Sequence, residues 1–221
     1  MGGSMEKNLQ IIELFSGTES FSKVARERGH RTFTIDNDPI FKSDLIKDIN
    51  EVNVSDIPFK PDIIWASPPC QCFSVASIGK NWDKNYKPKN KNTEEAINLI
   101  KKTLQLIKEL NPKYYFIENP RGMLRKMPMM EKYDKVTVTY CQYGDDRMKP
   151  TDIWTNCNDW KPKSPCKNGM TCHISAPRGS RTGTQGLKNA IERARVPSEI
   201  CLEIIKYCED KLIKGGDMNG L

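Results

Sequence analysis

Short apolar runs alternate with helix-periodic polar stretches over the first two-thirds of the chain. LQIIELF (Leu9 to Phe15) reads as a strand that ends in the turn-forming SGTES. FSKVARERG then reads as a short helix closed by Gly29, the residue that most easily takes a left-handed C-cap. RTFTIDND is a second strand candidate ending in acids, PDIIWAS is another, and YYFIEN a further one. Between the last two, Ile97, Ile100, Leu104 and Ile107 fall on one helical face, with Thr93 as a cap and Glu94 and Glu95 at the positive end. Strands and helices alternating at this spacing predict an α/β fold with a parallel, doubly wound sheet. Ligands of such sheets sit outside the carboxyl ends of the strands. SGTES, IDND, SPPCQC and ENPRG each follow an apolar run directly, so the unusual residues collect at that edge.

From about Thr151 the pattern changes. TNCNDWKPKSPCKNGMTCHISAPRGSRTGTQG is polar, rich in Pro, Gly and Cys, and lacks strong periodicity. A final helix follows, roughly Ser198 to Ile213, with Ile200, Cys201, Ile204, Ile205, Cys208 and Leu212 as its apolar stripe.

Composition adds limits. The chain has 221 residues, enough for one domain with a small appendage, and MGGS at its start reads as an expression scar. With 35 basic and 28 acidic residues, the net charge of +7 permits a polyanionic partner without demanding one. Apolar runs of only a few residues predict no membrane span and no signal peptide. Eight cysteines are then expected to be reduced thiols, ligands or nucleophiles in a cytoplasmic protein, rather than a disulfide framework.

WASPPCQCFS raises the first chemical question. Pro68 and Pro69 fix φ for two residues, so the next side chain is aimed with little entropy left to lose. A thiol there attacks only as the thiolate. The local residues favour Cys70 over Cys72 only weakly, and a mere tight turn is the alternative. Glu118, in FIENP, follows an apolar strand, where partial desolvation raises a carboxyl pKa. It is either a partner for such a thiol or a carboxylate paired with Arg121.

IIELFSGTESF, IDND, KDINEV, PDIIWASPPCQCFS, YYFIENPRGML and YGDDRMKPTDIWTN resemble, in order, the motifs of the DNA cytosine-5 methyltransferases, from roughly Gln10 to Asn156. The resemblance implies a Rossmann-like S-adenosylmethionine-dependent methyltransferase fold, with a mostly parallel sheet and a small Cys-rich insert. Phe15, Ser16, Gly17 and Thr18 would wrap the methionine part of the cofactor, with Ser20 nearby. Asp36 would hydrogen-bond the ribose, and Asp48 and Ile49 would meet the adenine, with Pro68 completing the cofactor set. Cys70 would add to carbon 6 of a cytosine flipped out of the duplex, Glu118 would contact its N3 edge, and Arg147 would touch the base. Gln71, Ser74 and Lys149 would also face the nucleic acid. The chain departs from the family at Glu19-Ser20, where Gly-Gly is usual, at Asp145 for Gln and at Lys149 for Arg. Cys72 replaces a Gly and has no assigned task. RARVPSEI (Arg193 to Ile200) stands for the last motif, without its Asn.

The implied division is a catalytic and cofactor-binding domain at 5–156, a recognition insert at 157–192, and a C-terminal helix at 193–221 completing the first. Gly79 to Thr93 carries five lysines beside the expected nucleophile. A lid is expected there, with Lys80 and Lys84 on phosphates and Trp82 or Tyr86 against bases. Cys157, Cys166, Cys172 and His173 have the donors for one zinc ion, against the alternatives of unpaired structural thiols or a disulfide. Arg178 and Arg181 suit phosphate contacts. The expectation is a compact, monomeric, phage-like cytosine-5 methyltransferase acting on DNA. Its rivals are a tRNA methyltransferase of the same family and a binding module with a decayed cofactor pocket.

Overall fold

A computed structural model describes residues 8–175 and 189–214. The alternation appears as β1 (Gln10–Leu14), α1 (Ser20–Glu27), β2 (Arg31–Asp36), β3 (Leu45–Ile46), β4 (Ile63–Ala66), the single turn α2 (Ile78–Asn81), α3 (Lys91–Leu110) and β5 (Tyr114–Pro120). Then come β6 (Lys135–Thr139), β7 (Pro150–Thr155), the short α4 (Ala190–Ala194) and α5 (Ser198–Glu209). The sheet runs β3-β2-β1-β4-β5-β7-β6. Its first five strands are parallel, and β7 runs antiparallel to both β5 and β6.

The central strands read as unbroken apolar runs because both faces are covered. Alternate residues serve two cores. Ile11, Ile63, Trp65 and Phe116 pack with α1 and α5, where Phe21 stacks on Trp65 at 4.7 Å. Ile12, Leu14, Ile64 and Ile117 pack with α3 on the other face. Gly29 closes α1 in the expected left-handed conformation, with φ of 82°. The α5 stripe is also as expected, with Ile200, Cys201, Ile204, Ile205 and Cys208 wholly buried.

Three expectations change. The cap of α3 is Asn90, not Thr93: its carboxamide oxygen accepts from the Thr93 N–H at 3.0 Å and from the Thr93 hydroxyl at 2.9 Å. Thr93 itself is buried, and the buried face of α3 runs through Ala96, Ile100, Thr103 and Ile107, leaving Ile97 and Leu104 at its margin. Cys157 and Trp160, assigned to the insert, belong to the core, where Trp160 meets Phe116 edge-on at 5.9 Å. No helix among the described residues is long and apolar enough to cross a membrane.

The strand order reverses between β1 and β4. The chain leaves β1 toward β2 and leaves β4 toward β5, so the loops after β1 and β4 part and open a crevice between them.

Candidate active site

The loop after β1 makes one wall of that crevice. Phe15, Gly17 and Glu19 all take left-handed backbone conformations, with φ of 56°, 46° and 54°. This curls the loop so that the Gly17 N–H donates to Asp36 Oδ2 at 2.9 Å and the Ser16 N–H to the Ile35 carbonyl at 3.0 Å. Glu19 occupies a conformation that suits glycine. Its side chain offsets the strain through an ion pair with Arg26 and a bond from the Thr34 hydroxyl at 3.4 Å. The Glu-for-Gly departure is therefore accommodated locally.

Beyond the loop lies a narrow slot of about 60 Å³, walled by Phe15, Ile49, Pro69 and Leu99 and edged by Asp36 and Asp48. An apolar slit with carboxylates at its rim has the lining chemistry to meet the face of a flat heterocycle and the hydroxyls of a sugar beside it. Asp36 and Asp48 are rigid: Asp36 Oδ1 also accepts from the Asp38 N–H, and Asp48 caps the turn at Asn50. Pro69 lines the slot where Pro68 was expected. Pro68 is buried, and its carbonyl accepts from Asn119 Nδ2 at 2.9 Å.

Phe15 also borders a second chamber of about 210 Å³, which holds Glu13, Ser67, Cys70, Glu118 and Lys149. Ser16, Gly17, Thr18 and Ser20 line its near side, and Arg193, Ala194 and Val196 return from RARVPSEI to close it. Cys70 sits in a tight turn, with its carbonyl accepting from the N–H groups of Phe73 and Ser74, both at 2.9 Å. The loop after β5 braces that turn. The Met123 N–H donates to the Phe73 carbonyl at 2.7 Å, and a Cβ on Gly122 would lie 2.1 Å from the same oxygen. Only glycine lets the ENPRG and PPCQC loops approach this closely. Burial pushes the Cys70 thiol above its ordinary pKa, the Glu118 charge adds to the rise, and the Lys149 ammonium opposes it.

Glu118 is buried, and the Tyr140 hydroxyl donates to its Oε1 at 2.7 Å. Burial and the neighbouring carboxylate hold that hydroxyl well above the ordinary tyrosine pKa, so it stays a donor. Tyr140 was not anticipated from sequence, because nothing local distinguishes it from a core aromatic. A Tyr140→Phe variant is expected to fold but to lose kcat by roughly 10- to 100-fold, the equivalent of a charge-assisted hydrogen bond of about 1.5–3 kcal/mol. Steady-state kinetics check this, and an unchanged kcat would refute it.

Of the two basic residues expected at the site, Lys149 lines the chamber and Arg147 does not. Arg147 is buried but turned away from the chamber: it clamps Asp145 and donates to the Arg193 carbonyl at 3.2 Å. The Asp-for-Gln departure at 145 thus supplies a partner within the chain. Lys149, at a left-handed φ of 30°, lines the chamber instead, with Nζ 4.6 Å from the Tyr140 ring centroid and donating to the Arg193 carbonyl at 2.8 Å. Burial lowers its pKa.

Glu13, at the back of the chamber, accepts from the N–H groups of Phe21 (3.2 Å) and Ser22 (2.8 Å) at the start of α1. Burial outweighs these bonds and pushes its carboxyl up to about 7. The folded chain then holds this proton more tightly than the unfolded chain. Stability falls as pH rises from the ordinary glutamate value to about 7, then levels. The expected loss is on the order of 3 kcal/mol relative to Glu13→Gln, read from urea unfolding of both proteins at pH 5 and pH 8. Parallel pH curves would contradict it.

The remaining expected contacts divide. Gln71 is exposed at the chamber mouth, Lys80 and Lys84 are exposed beyond it, and Ser74 is half-buried with its hydroxyl on Ser77 at 3.1 Å. Trp82 is not available to bases. It is 3% exposed, its ring lies 5.8 Å from Phe73, and its Nε1 donates to the Cys72 carbonyl at 2.7 Å. It splints the loop that carries Cys70. Tyr86, 47% exposed beneath Lys126, is the accessible aromatic of the two. Arg178 and Arg181 lie outside the described residues.

The Cys/His cluster also differs from expectation. Cys157 is buried near Trp160 and Tyr207, away from the others. Cys141 takes its place: the ligand atoms of Cys141, Cys166, Cys172 and His173 all lie within 4.8 Å of one another, a group able to hold a metal ion. Sequence position gave no hint of Cys141, which lies on the far side of β7 from the other three.

Residues 9–135 match the family described as C-5 cytosine-specific DNA methylase. A probable DNA (cytosine-5)-methyltransferase of Frog virus 3 (isolate Goorha) is 28% identical over 225 residues, covering 90% of this chain and all of the relative. Among solved structures, the Entamoeba histolytica methyltransferase EhMeth is 17% identical, with a TM-score of 0.50 over 76% of this chain and 57% of its own. The S. pombe Dnmt2 methyltransferase is 18% identical, with a TM-score of 0.45 over 67% and 49%. The chain spans about half the length of these solved proteins. The likeness to the Entamoeba structure is one of fold.

Proposed function

The chain belongs to the C-5 cytosine-specific DNA methylase family, and we propose that it methylates carbon 5 of cytosine in DNA through a covalent bond to Cys70. The observation that carries this reading is the meeting of Cys70, from the end of β4, and Glu118, from β5, in one chamber. Phe15 joins that chamber to a slot edged by two carboxylates. The slot suits S-adenosylmethionine: Ile49 and Leu99 would hold its adenine, and Asp36 would accept from its ribose hydroxyls. When bound, the cofactor supplies an electrophilic methyl group from its sulfonium.

The chain's own residues supply the rest. Cys70 Sγ adds to carbon 6 of the flipped base, breaking the 5,6 double bond and placing electron density on carbon 5. Glu118, with Oε1 held by the Tyr140 hydroxyl, shares a carboxylic-acid proton with the N3 edge, where the addition pushes negative charge. Lys149 faces the thiolate and stabilises it before attack. After carbon 5 has taken the methyl group, its proton passes to solvent, the N3 proton returns to Glu118, and cleavage of the sulfur–carbon bond restores the ring and frees Cys70. Lys80, Lys84 and Tyr86 lie on the loop beyond the chamber mouth, where phosphates and bases of the substrate would pass.

Incubation with labelled S-adenosylmethionine and either duplex DNA or RNA of the same sequence tests the proposal. Label is expected in DNA. Label in RNA alone would reassign the substrate, and absence of cofactor binding by calorimetry would leave only a nucleic-acid-binding module.

A further inference from the structure

We propose that Cys141, Cys166, Cys172 and His173 bind one zinc ion, which fastens the polar segment 164–175 to the wall of the active site. The Cys166 sulfur lies 3.1 Å from that of Cys172, which lies 3.7 Å from that of Cys141. His173 Nδ1 lies 3.6 Å and 3.7 Å from the Cys166 and Cys172 sulfurs. Tetrahedral zinc, with bonds of about 2.3 Å to sulfur and about 2.0 Å to nitrogen, requires sulfur–sulfur spacings of ~3.8 Å and sulfur–nitrogen spacings of ~3.5 Å. Three of these four distances already match, the Cys166–Cys172 pair needs a small outward shift of one exposed thiol, and the two remaining pairs, Cys141 to Cys166 and to His173, lie within 4.8 Å. All four cysteine sulfurs considered, including that of Cys157, are free of disulfides. Three thiolates and an imidazole are the donor set that zinc prefers over harder cations.

The segment also needs such a tie. Residues 161–175 form neither helix nor strand, and their large apolar side chains stay outside the core, Met170 at 57% and Ile174 at 60% exposed. Backbone bonds from Cys166 to the Thr139 hydroxyl (2.7 Å) and from Ile174 to the Asp146 carbonyl (2.9 Å) fix its position but bury little surface. A metal cross-link replaces the missing core. Its anchor, Cys141, directly follows Tyr140, the residue that holds Glu118. The ion would therefore brace the turn behind the catalytic carboxylate as well as the segment itself.

Elemental analysis of the full chain, purified without chelator, is expected to give one zinc per protein. Cys172→Ser and His173→Ala, both on the outlying segment, should lose it, whereas Cys157→Ser should keep it. Cobalt exchange should add visible absorption typical of tetrahedral thiolate ligation, and a strong chelator should speed proteolysis within 161–175. The proposal is overturned by a metal-free protein, by a mass lower by two hydrogens that maps to a Cys166–Cys172 disulfide, or by equal metal loss in Cys157→Ser.

Discussion

Cys70→Ala is expected to lower methyl transfer by at least ~10⁴-fold, because among the described residues that line the chamber Cys70 alone carries a thiol to add to carbon 6 and make carbon 5 nucleophilic. Duplex DNA carrying 5-fluorocytosine should trap the unaltered protein as a covalent adduct and leave the variant free. A trapped adduct in Cys70→Ala would overturn the assignment to Cys70, and full turnover would overturn covalent catalysis altogether. The fold should survive. Cys70 is only partly buried, and its turn is held by backbone bonds and by Asn119 rather than by the sulfur. The unfolding midpoint is expected to stay within about 2 °C. Because Lys149 counters the upward pull of burial on the thiol, Lys149→Gln should slow alkylation of Cys70 by iodoacetamide at a fixed pH near 8.

The second large effect is expected at Glu118. Glu118→Gln keeps the shape of the side chain and leaves an oxygen for the Tyr140 hydroxyl. It removes the proton that a carboxylic acid at this position would share with the N3 edge as negative charge builds there. Loss of one such electrostatic contact in a closed site costs roughly 10²- to 10³-fold in kcat. The loss should fall on kcat and on the rate of adduct formation, with the KM for S-adenosylmethionine little changed, since the slot proposed for the cofactor lies on the other side of Phe15. A variant that lost cofactor affinity instead would show that Glu118 belongs to the cofactor site. Tyr140→Phe should follow Glu118→Gln in direction with a smaller size, and the double variant should show less than the product of the two effects.

Much of this arrangement was legible in the chain. Strands β1, β4 and β5 are apolar runs broken by turn residues, a pattern that local physics makes hard to fold otherwise. α1 and α5 carry their burial in their periodicity. Strands β6 and β7 were not read: Lys135 starts one, and Pro150 and the buried Asp152 sit in the other. Asp152 is tolerable only because Arg125 and the Thr137 hydroxyl meet it from elsewhere in the sequence. The cap of α3 was misplaced by three residues: Asn90 and Thr93 are both cap types, and the bonds from Thr93 to the Asn90 carboxamide decide between them.

By itself, then, the sequence determined the order of the strands' chemistry: a glycine-bent loop after β1, an acid after β2, a proline-aimed thiol after β4 and a carboxylate at the end of β5. These are local properties, set by residue type and by distance from a strand end. Only the tertiary structure decided which neighbour each group would face. It turned Arg147 toward Asp145 and Lys149 toward the chamber, put Pro69 rather than Pro68 against the slot, buried Trp82 under the Cys70 loop, and exchanged Cys157 for Cys141 in the thiol cluster. Those choices depend on strand order, register and bonds between loops far apart in the chain, which no local pattern of residues encodes.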